Sequence, residues 1–479
     1  MTSPKRFPVN ALLLAACGMF LGSCGGQRDT LPPVTAGPSP TLSALSPNSS
    51  DVGAAPFTLS VVGSNFVSGS LVQWNTTSLV TTFVSSQILT AEVPAIVAAS
   101  GVKITVNNPG TKPSNSLNFA VPCDITSPIS AASQTRARVG AFYFDGWSGP
   151  LTNRHFQGLP LGPYQDRQPL SGWQDNSICA IEQQLAFAHN FGIDFFVFDW
   201  DFNAEVNYPG ENLNSALQIT QQLTNRHGMQ FAILFVNGPP FDVPPPQWMT
   251  AVNEWVGYMQ DPDYVHVNGK PVFFVINVGE MRQTFETSQA VQSAFAQLRQ
   301  AAIGAGLGDI YIVGGFGPPN GSMGQHSLSD GFSIAKEDGY DAIGFYGYPF
   351  APTAVNGAVP FSTLADAGHW MWNEATLSSP LPFIPTAMTG WDPRPWNEAE
   401  PITGDLMWYT RTPQDVAGFV DDAISWSVAN PQLRPEPTPT PPLVLIEAWN
   451  EFGEGSHVLP TIGEGSSYGD ALAAVLNKK

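Results

Sequence analysis

The feature that most constrains the fold is a series of eight apolar runs that alternate with helix-like stretches. The runs cover residues 138–144, 194–200, 230–236, 271–277, 310–316, 341–347, 382–388 and 443–449. Near-continuous apolar character is typical of parallel strands buried on both faces, and eight such strands with helices between them form a closed barrel. The intervening stretch 180–192 places apolar residues at helical spacing and ends in glycine. We predict a (β/α)8 TIM barrel over residues 136–479.

One segment of this region looks like an interdomain linker. Residues 430–442, "NPQLRPEPTPTPP", are rich in proline and directly precede the last apolar run. A domain boundary there would remove the eighth strand and leave residues 443–479, which are too few to bury a core of their own. We therefore interpret the segment as an extended stretch that leads into the eighth strand along the outside of the barrel. A separate C-terminal peptide is the alternative.

Residues 42–122 have a different pattern. Short alternating apolar and polar segments are separated by Gly, Pro, Asn and Ser, without any helical period. This pattern predicts a small all-β sandwich ahead of the α/β barrel, so the chain is multidomain. The strings "VGSNF", "VQWN", "LTAEVP" and "VNNPG" resemble the IPT/TIG immunoglobulin-like family. That resemblance implies a spacer or binding module beside an extracellular enzyme.

The N-terminus resembles a bacterial lipoprotein signal. Two basic residues precede an apolar run, 11–21, that has the length of a secretory signal and is too short to span a bilayer. The run is followed by "LGSC", so we predict a signal peptide over residues 1–23 and lipidation at Cys24. Cleavage before Cys17 is the alternative, and an apolar or membrane-spanning N-terminus is another. Residues 24–41 are predicted to form a flexible tether. The protein is expected to be exported and anchored to the cell envelope or surface.

The balance of charges bears on partners. The chain of 479 residues has 19 Lys+Arg against 39 Asp+Glu, a formal net charge of −20. This charge repels nucleic acid and anionic membranes, so a neutral partner such as a sugar or a peptide fits better. We expect no nucleic-acid partner, membrane attachment only through the lipid anchor, and a monomer. Cys123 and Cys179 either pair or stay free.

We also expect no cofactor and no metal. The histidines lack the i, i+4 spacing of helical zinc sites, and no cysteine pairs are close in sequence. Phosphate-binding and dinucleotide-binding glycine motifs and the nucleophile elbow of hydrolases are absent from the sequence. Chemistry must therefore come from side chains at the carboxyl ends of the barrel strands, where catalytic groups of such barrels lie.

The eighth run ends in an acidic cluster, "LIEAWNEFGEG". Strand alternation places Glu447 and Trp449 on one face, and we expect that face to point into the barrel. Glu447 is then either a structural anchor or a substrate ligand, because a buried carboxylate needs a partner or a proton. Glu451 and Glu454 lie beyond the strand, on a loop whose glycines permit a tight turn toward one cleft. Two carboxyls in one cleft are what glycosyl transfer requires, although a solvated acidic loop is the alternative.

The segment "EAWNEFGEGSHVLPTIGEGSSYGDAL" resembles the WbsX-like proteins and the family 99 glycoside hydrolases, the endo-α-mannanase and endo-α-mannosidase group. "GAFYFDGW", "YVHVNGKPVFFV" and "TGWDPRP" fit the same resemblance. It implies that Glu451 assists attack by the 2-hydroxyl of the sugar and that Glu454 protonates the departing oxygen. The implied route runs through a 1,2-anhydro sugar with retention of configuration. Phe452 and the sequence 458–460 depart from the family pattern, which bears on subsite preference.

Further candidates follow the other strands. We predict that substrate contacts come from residues at strand ends, namely Asp145, Trp147, Asp199, Trp200, Tyr346, Tyr348, Trp391 and Asp392, together with Glu447 and Trp449. Capping and turn roles are the alternative for each. Asp201 is a weaker candidate of the same kind, and His457 is expected at the rim.

These observations favour a glycoside hydrolase that cleaves an α-linked polysaccharide or glycan, mannan-like by resemblance, with Glu451 and Glu454 as the catalytic pair. The first alternative is a surface lipoprotein that binds carbohydrate without cleaving it. A polysaccharide-assembly glycosyltransferase ranks last, because an exported protein has no ready supply of nucleotide sugar.

Overall fold

A computed structural model describes most of the chain outside its N-terminus. The residues described are 37–46, 56–94, 102–119, 136–148, 154–156, 159, 163–203, 206, 213–315, 328–347, 357–397 and 407–476. The predicted signal peptide, Cys24, Cys17, most of the tether, Cys123 and Tyr348 lie outside these ranges. Within them, every helix is too short or too polar to cross a membrane.

The N-terminal part is a β-sandwich of two four-stranded antiparallel sheets, with strand orders β1-β2-β6-β5 and β4-β3-β7-β8. The strands are β1 Thr41–Ser46, β2 Phe57–Ser64, β3 Leu71–Trp74, β4 Thr77–Ser78, β5 Val80–Ser85, β6 Ile88–Val93, β7 Val102–Asn107 and β8 Leu117–Phe119. Alternate residues of the central strands β2 and β7 point into a shared apolar core, for example Leu59, Val61, Ile104 and Val106. The predicted sandwich is confirmed.

The second part is a closed parallel barrel. Its strands are β9 Arg138–Tyr143, β10 Phe195–Trp200, β11 Gln230–Phe235, β13 Lys270–Val275, β14 Tyr311–Gly314, β15 Ala342–Gly344, β17 Phe383–Ile384, β18 Thr386–Met388 and β20 Leu443–Glu447; a short strand β12, His266–Val267, pairs antiparallel with β13. β17 pairs with β15, and β18 pairs with β20, so β17 and β18 are two halves of one seventh strand, separated by Pro385. β20 then pairs with β9 and closes the ring. All eight predicted runs are therefore barrel strands, and the predicted TIM barrel is confirmed.

Helices surround this barrel. They are α1 Ile178–Phe191, α2 Ser215–Gln222, α3 Trp248–Met259, α4 Val278–Phe285, α5 Ser288–Gly304, α6 Leu328–Asp338, α7 Phe361–Ser378, α8 Arg394–Asn397, α9 Pro413–Ala429 and α10 Ser467–Leu476. Their ends carry the expected signals: Ser177 caps α1, Gly192 ends it with φ of 88°, and Thr412 forms a capping box with Asp415 at the start of α9.

Two smaller pairs of strands lie in loops at the carboxyl end of the barrel. β16, Gly357–Pro360, pairs in parallel with β19, Met407–Thr410. β21, Asn450–Glu451, pairs antiparallel with β22, Ser456–His457. We call residues 450–457 the acidic hairpin.

The proline-rich segment 430–442 belongs to the barrel, as predicted. Asn268, in the turn between β12 and β13, donates from its backbone N to Glu436 Oε1 at 3.0 Å and from its side chain to Pro435 O at 2.6 Å. The segment thus runs across the outside of the barrel before it enters β20.

Cys179, near the start of α1, is disulfide-bonded. Its side chain packs with the core of the sandwich. Its bonding partner lies outside the described residues.

Candidate active site

Barrel strands and the acidic hairpin bring acidic and phenolic side chains together above the barrel. Asp199 lies near the end of β10, Tyr346 follows β15, and Glu447 ends β20. The Tyr346 hydroxyl donates to Glu451 Oε1 at 2.7 Å and lies 3.3 Å from Asp199 Oδ2. Below it the Tyr346 ring packs on Phe142, with ring centroids 4.9 Å apart. One phenol therefore connects a strand carboxyl to a hairpin carboxyl.

The acidic hairpin has a fixed register. Asn450 pairs with His457, and Glu451 pairs with Ser456. The Gly455 backbone N donates to Phe452 O at 3.3 Å, which closes a four-residue turn with Glu454 in it. Glu451 and Glu454 are thus held on one short element, as their spacing suggested.

Close packing explains the two glycines of this turn. A Cβ at Gly453 would lie 2.2 Å from the Trp396 indole nitrogen, and a Cβ at Gly455 would lie 2.6 Å from Asp392 Cβ. Gly455 also has a φ of 67°, which glycine adopts without strain. The glycines therefore let α8 and the segment before it approach the hairpin closely, beyond the backbone freedom expected from sequence.

Two arginines hold the hairpin backbone. Arg167 donates to Phe452 O at 2.8 Å, and Arg411 donates to His457 O at 2.7 Å and to Thr389 O at 3.1 Å. These carbonyls lie on either side of the turn. A charged donor on each side restricts the motion of the turn that carries Glu454.

The base of the hairpin is anchored to the loop after β9. The Asn450 side chain accepts from Phe144 N at 2.9 Å and donates to Phe144 O at 2.8 Å. Trp147 Nε1 donates to Asn450 O at 2.7 Å. The hairpin is therefore fixed at its base as well as at its turn.

The acidic groups of this site have raised pKa values. Burial, partly offset by the bond from Tyr346 and by nearby His155, raises the pKa of Glu451 to about 7. Burial first, and then the charges of Glu451, Glu447 and Asp199, raise the pKa of Glu454 well above its ordinary range. At neutral pH, Glu454 is thus the group that holds a proton, whereas Glu451 is close to ionisation.

Asp201 adds to this acidic environment. It is 4% exposed, and burial followed by the charge of Glu451 raises its pKa to about 8. Asp199 has a pKa raised by burial and by the charges of Asp201 and Glu451. Five carboxyls therefore influence one another in one site, a concentration typical of functional centres.

Glu447 is fully buried at the base of this site. Its Oε2 accepts from Ser456 Oγ at 2.7 Å, while its Oε1 has no hydrogen-bond partner among the described residues. Burial raises the pKa of Glu447 well above its ordinary range, and the charge of Glu451 raises it further. The bond to Ser456 ties Glu447 to the second strand of the hairpin, so Glu447 anchors the hairpin and keeps one oxygen unpaired.

The predicted shared face of Glu447 and Trp449 is wrong. The Trp449 indole donates to Gln184 Oε1 of α1 at 3.0 Å, and its ring packs on Phe191 and Phe196. Strand β20 ends at Glu447, so its alternation does not extend to Trp449. Trp449 is buried against the helix layer and does not lie beside the acidic groups.

Two other predicted aromatic ligands are also packing residues. Trp200 is 2% exposed, and its indole donates to Glu254 of α3 at 3.0 Å. Trp147 is fully buried, and its ring packs on Trp173 and Phe452. Phe452, which departs from the family pattern, is fully buried in the same cluster. These rings support the site from behind and have no exposed face for a sugar.

The remaining predicted residues have other contacts in the structure. Asp145 is buried and accepts from the Ala216 backbone N in the first turn of α2, so it caps that helix. Trp391 is half-buried against the barrel core. Asp392 pairs with Arg167 and Arg394. His457, expected at the rim, is 2% exposed and bonds Arg411 and Glu464.

The sequence therefore identified six of the residues that gather at this site, namely Asp199, Asp201, Tyr346, Glu447, Glu451 and Glu454. It missed the arginines, because Arg167 and Arg411 come from distant loops without any local motif. A signal for Trp200 was present: Asp199 and Trp200 are neighbours in one strand, so only one of them can face the barrel interior.

A metal centre is not formed by the described side chains. Within those ranges, no group of three or more His, Cys, Asp or Glu residues is arranged to hold a metal ion. What the arrangement provides is two hairpin carboxyls with different proton occupancy, beside a phenol and a strand carboxyl. That combination is suited to acid–base chemistry at a glycosidic bond.

The fold and the site together define a class of protein, namely an α/β barrel with paired acidic groups on the loop after its eighth strand. The family described as "Glycosyltransferase WbsX" matches residues 244–472, and the IPT/TIG domain family matches residues 40–121. The resemblances to the WbsX-like proteins and to the IPT/TIG family are confirmed by these matches. Comparison with curated proteins gives no match.

Several solved structures are similar to this chain. A "Glycoside hydrolase-like protein" has 16% identity and a TM-score of 0.48, over 74% of this chain and 98% of that one. The GH99 endo-α-mannosidase from Bacteroides thetaiotaomicron, in complex with BIS-TRIS-propane, has 15% identity and a TM-score of 0.43, over 71% and 95%. An exo-β-1,4-mannosidase from Opitutaceae bacterium strain TAV5 has 12% identity and a TM-score of 0.40, over 73% and 61%.

Proposed function

We propose that this protein is a glycoside hydrolase that acts on an α-linked polysaccharide or glycan, with Glu454 as the acid and Glu451 as the base. The observation that carries the proposal is the unequal environment of the two hairpin carboxyls. Glu454 is surrounded by like charges and keeps its proton, whereas Glu451 accepts a hydrogen bond from Tyr346 that favours its ionised form.

The division of roles follows from these environments. A protonated Glu454 donates to the departing glycosidic oxygen, so the leaving group departs as a neutral alcohol. An ionised Glu451 accepts a proton from the attacking hydroxyl, which under the family resemblance is the 2-hydroxyl of the same sugar. Water then opens the 1,2-anhydro ring with the roles of the two carboxyls reversed, and configuration at the anomeric carbon is retained. A mannan-like substrate is the first choice by resemblance.

The decisive experiment compares Glu454→Gln with Glu451→Gln on two kinds of substrate. On a polysaccharide screen scored by release of reducing sugar, each variant should lose about 10²–10⁴-fold in kcat, because general acid–base groups contribute about that much. A dinitrophenyl glycoside of the active sugar needs no protonation of its leaving group. Glu454→Gln should therefore recover activity on it, and Glu451→Gln should not.

The matched control is Glu337→Gln on α6, which replaces a glutamate whose side chain is 62% exposed and distant from the hairpin. It should retain wild-type turnover. Unchanged hydrolysis by both hairpin variants would refute the assignment of the pair.

A glycosyltransferase is a second candidate, because the family that matches residues 244–472 carries that description. Incubation with nucleotide-sugar donors and an acceptor glycan separates the two. Chain extension without release of reducing sugar supports the transferase. Binding of glycan with neither reaction supports a non-catalytic carbohydrate-binding protein.

A further inference from the structure

A cavity adjoins the acidic hairpin. It has a volume of about 350 Å³, and Gly455 and His457 form part of its wall. The five acidic groups of the active site do not line it. The rest of its wall comes from three connections of the barrel and includes six charged side chains, namely Asp166 and Arg167 after β9, Asp392, Arg394 and Arg411 after β18, and Glu464 after the hairpin. We call it the arginine pocket.

The charges of the arginine pocket cancel. Three arginines face three acidic side chains, and burial together with nearby Arg411 lowers the pKa of His457 to about 4, so that His457 is neutral. Asp392 pairs with both Arg167 and Arg394, and Glu464 pairs with Arg411 at 3.0 Å. In a chain with a net charge of −20, a neutral pocket built from six charged side chains is suited to a polar ligand without charge of its own.

The pocket presents a donor and an acceptor to solvent. The side chains of Arg394 and Glu464 are each 34% exposed, whereas those of Arg167, Asp392 and Arg411 are only 9–12% exposed. A hydroxyl group both donates and accepts, so neighbouring hydroxyls of one molecule can bond Arg394 and Glu464 together. An anionic ligand would meet the carboxylate of Glu464 in the same space.

Aromatic rings fix these guanidinium groups. The Arg394 guanidinium lies 4.3 Å from the Trp408 ring centroid, and that of Arg411 lies 4.2 Å from the Tyr468 ring centroid. Pre-oriented donors lose little conformational entropy on binding, which favours a small ligand. The cavity volume is also within the range of small-molecule sites, about 300–1,000 Å³.

We propose that the arginine pocket binds a neutral sugar unit of the glycan, at a position separate from the acidic cleft. The inference rests on the proposed function for its ligand class and adds a second binding position that the acidic groups do not form. Arg394 and Glu464 recognise the hydroxyls, while Arg167, Asp392 and Arg411 hold the wall. The same arginines hold the hairpin carbonyls, so an occupied pocket contacts the element that carries the catalytic pair.

The test uses the full chain carrying Glu454→Gln, so that no probe is hydrolysed. Methyl α-mannoside, methyl α-glucoside and methyl α-galactoside are the neutral probes, and glucuronate is the anionic one. Ligand-observed saturation-transfer NMR measures the dissociation constants, and a crystal soaked in the best probe locates it. We expect at least one neutral probe in the pocket, with binding at least tenfold weaker in Arg394→Ala and less affected in Arg394→Lys.

Lys270→Ala is the matched control, since Lys270 pairs with Asp309 at the opposite end of the barrel, and it should leave binding unchanged. Thermal unfolding of each variant checks that it is folded, and Glu464→Gln gives a second perturbation if Arg394→Ala is not. Glucuronate binding tenfold tighter than every neutral probe would overturn the neutral class, and an empty pocket in the soaked crystal would overturn the site. Neither result bears on turnover by the wild-type pair, which is measured separately.

Discussion

The two sides of the acidic hairpin differ in how their carboxyls are compensated. On the cleft side, Asp199, Glu447 and Glu451 have raised pKa values. Within the described part of the chain, each accepts from one side-chain hydroxyl, that of Tyr346 or Ser456. On the pocket side, Asp392 and Glu464 are paired with arginines, and both pKa values lie below their ordinary range despite partial burial. Glu454, in the hairpin, and Glu464, in the loop after it, therefore have pKa values shifted in opposite directions.

The difference shows how one small element can be both rigid and reactive. Paired charges on the pocket side stabilise the position of the hairpin, and unpaired acids on the cleft side retain protons that chemistry can use. Natural proteins accept locally unfavourable groups where function needs them and stabilise the fold elsewhere. Here the compensation lies on the other face of the same hairpin.

The largest effect is expected from removal of a pocket-side cation. Arg411→Met should destabilise the protein by about 2–4 kcal/mol, because it leaves Glu464 and the carbonyls of Thr389 and His457 without their donor. It should also lower kcat, since the hairpin loses one of its two charged restraints. Urea denaturation and initial rates measure the two effects.

Arg299→Met is the control for Arg411→Met. Arg299 pairs with Asp309 and Asp341, away from the hairpin. The Arg299→Met substitution should lower the stability of the protein while turnover by the folded variant is preserved. Equal loss of kcat in both variants would show that the comparison between the two sides has no functional meaning.

The next effect concerns stability against pH. The pKa of Glu451 is raised from its ordinary value of 4.5 to about 7 in the folded protein. Between pH 4.5 and pH 7, the unfolded chain therefore releases a proton that the folded chain keeps. Its contribution to stability is complete below pH 4.5 and is lost as the pH rises to about 7. Glu451→Gln removes that dependence, so the difference in unfolding free energy between wild type and variant should change by about 1–3 kcal/mol across this window.

Urea titrations at several pH values measure this difference. Asp194 also has a raised pKa, but Glu451 is not among its causes, so its contribution cancels in the difference. The charge of Glu451 raises the pKa values of Asp201 and Glu454, so the difference reports Glu451 together with its effect on these neighbours. Parallel curves for the two proteins would mean that folding does not shift the pKa of Glu451, and a difference of the opposite sign would mean that Glu451 is compensated like the pocket-side acids.

The smallest effect is expected from Tyr346→Phe. The lost hydroxyl bond to Glu451 favoured the ionised carboxylate, so the acid limb of the pH–rate profile should move up by about 0.5–1 pH unit. The maximum rate should fall by about tenfold. Rates measured from pH 4 to pH 9 test this, and a shift toward lower pH would contradict the role of the phenol.

The sequence predicted the barrel well because each strand carries its own signal. Eight apolar runs were recognisable one by one, and the seventh was found although Pro385 divides it into β17 and β18. Glu451 and Glu454 were also found locally, since they share one short loop. Features encoded within a few residues are accessible to this kind of reasoning.

Features that depend on distant residues were not accessible. The arginine pocket joins Arg167 to Asp392 and Arg411 to Glu464 across separate loops, and no local pattern indicates these pairs. The tryptophans failed for another reason. Trp147, Trp200 and Trp449 lie at or just after strand ends, as ligands often do. The indole of Trp147 instead donates to the hairpin backbone, and those of Trp200 and Trp449 donate to side chains of the surrounding helices.

The pairing of Glu451 with Ser456 has a consequence for how the spacing of the two hairpin carboxyls is set. Because both carboxyls belong to one hairpin of fixed register, the gap between them is set by the backbone conformation of the hairpin. A single residue inserted between Gly453 and Glu454 would keep every charge yet change that gap. Specificity for a different leaving group or linkage would therefore evolve by a change in the length of this loop sooner than by a change in the identity of its side chains.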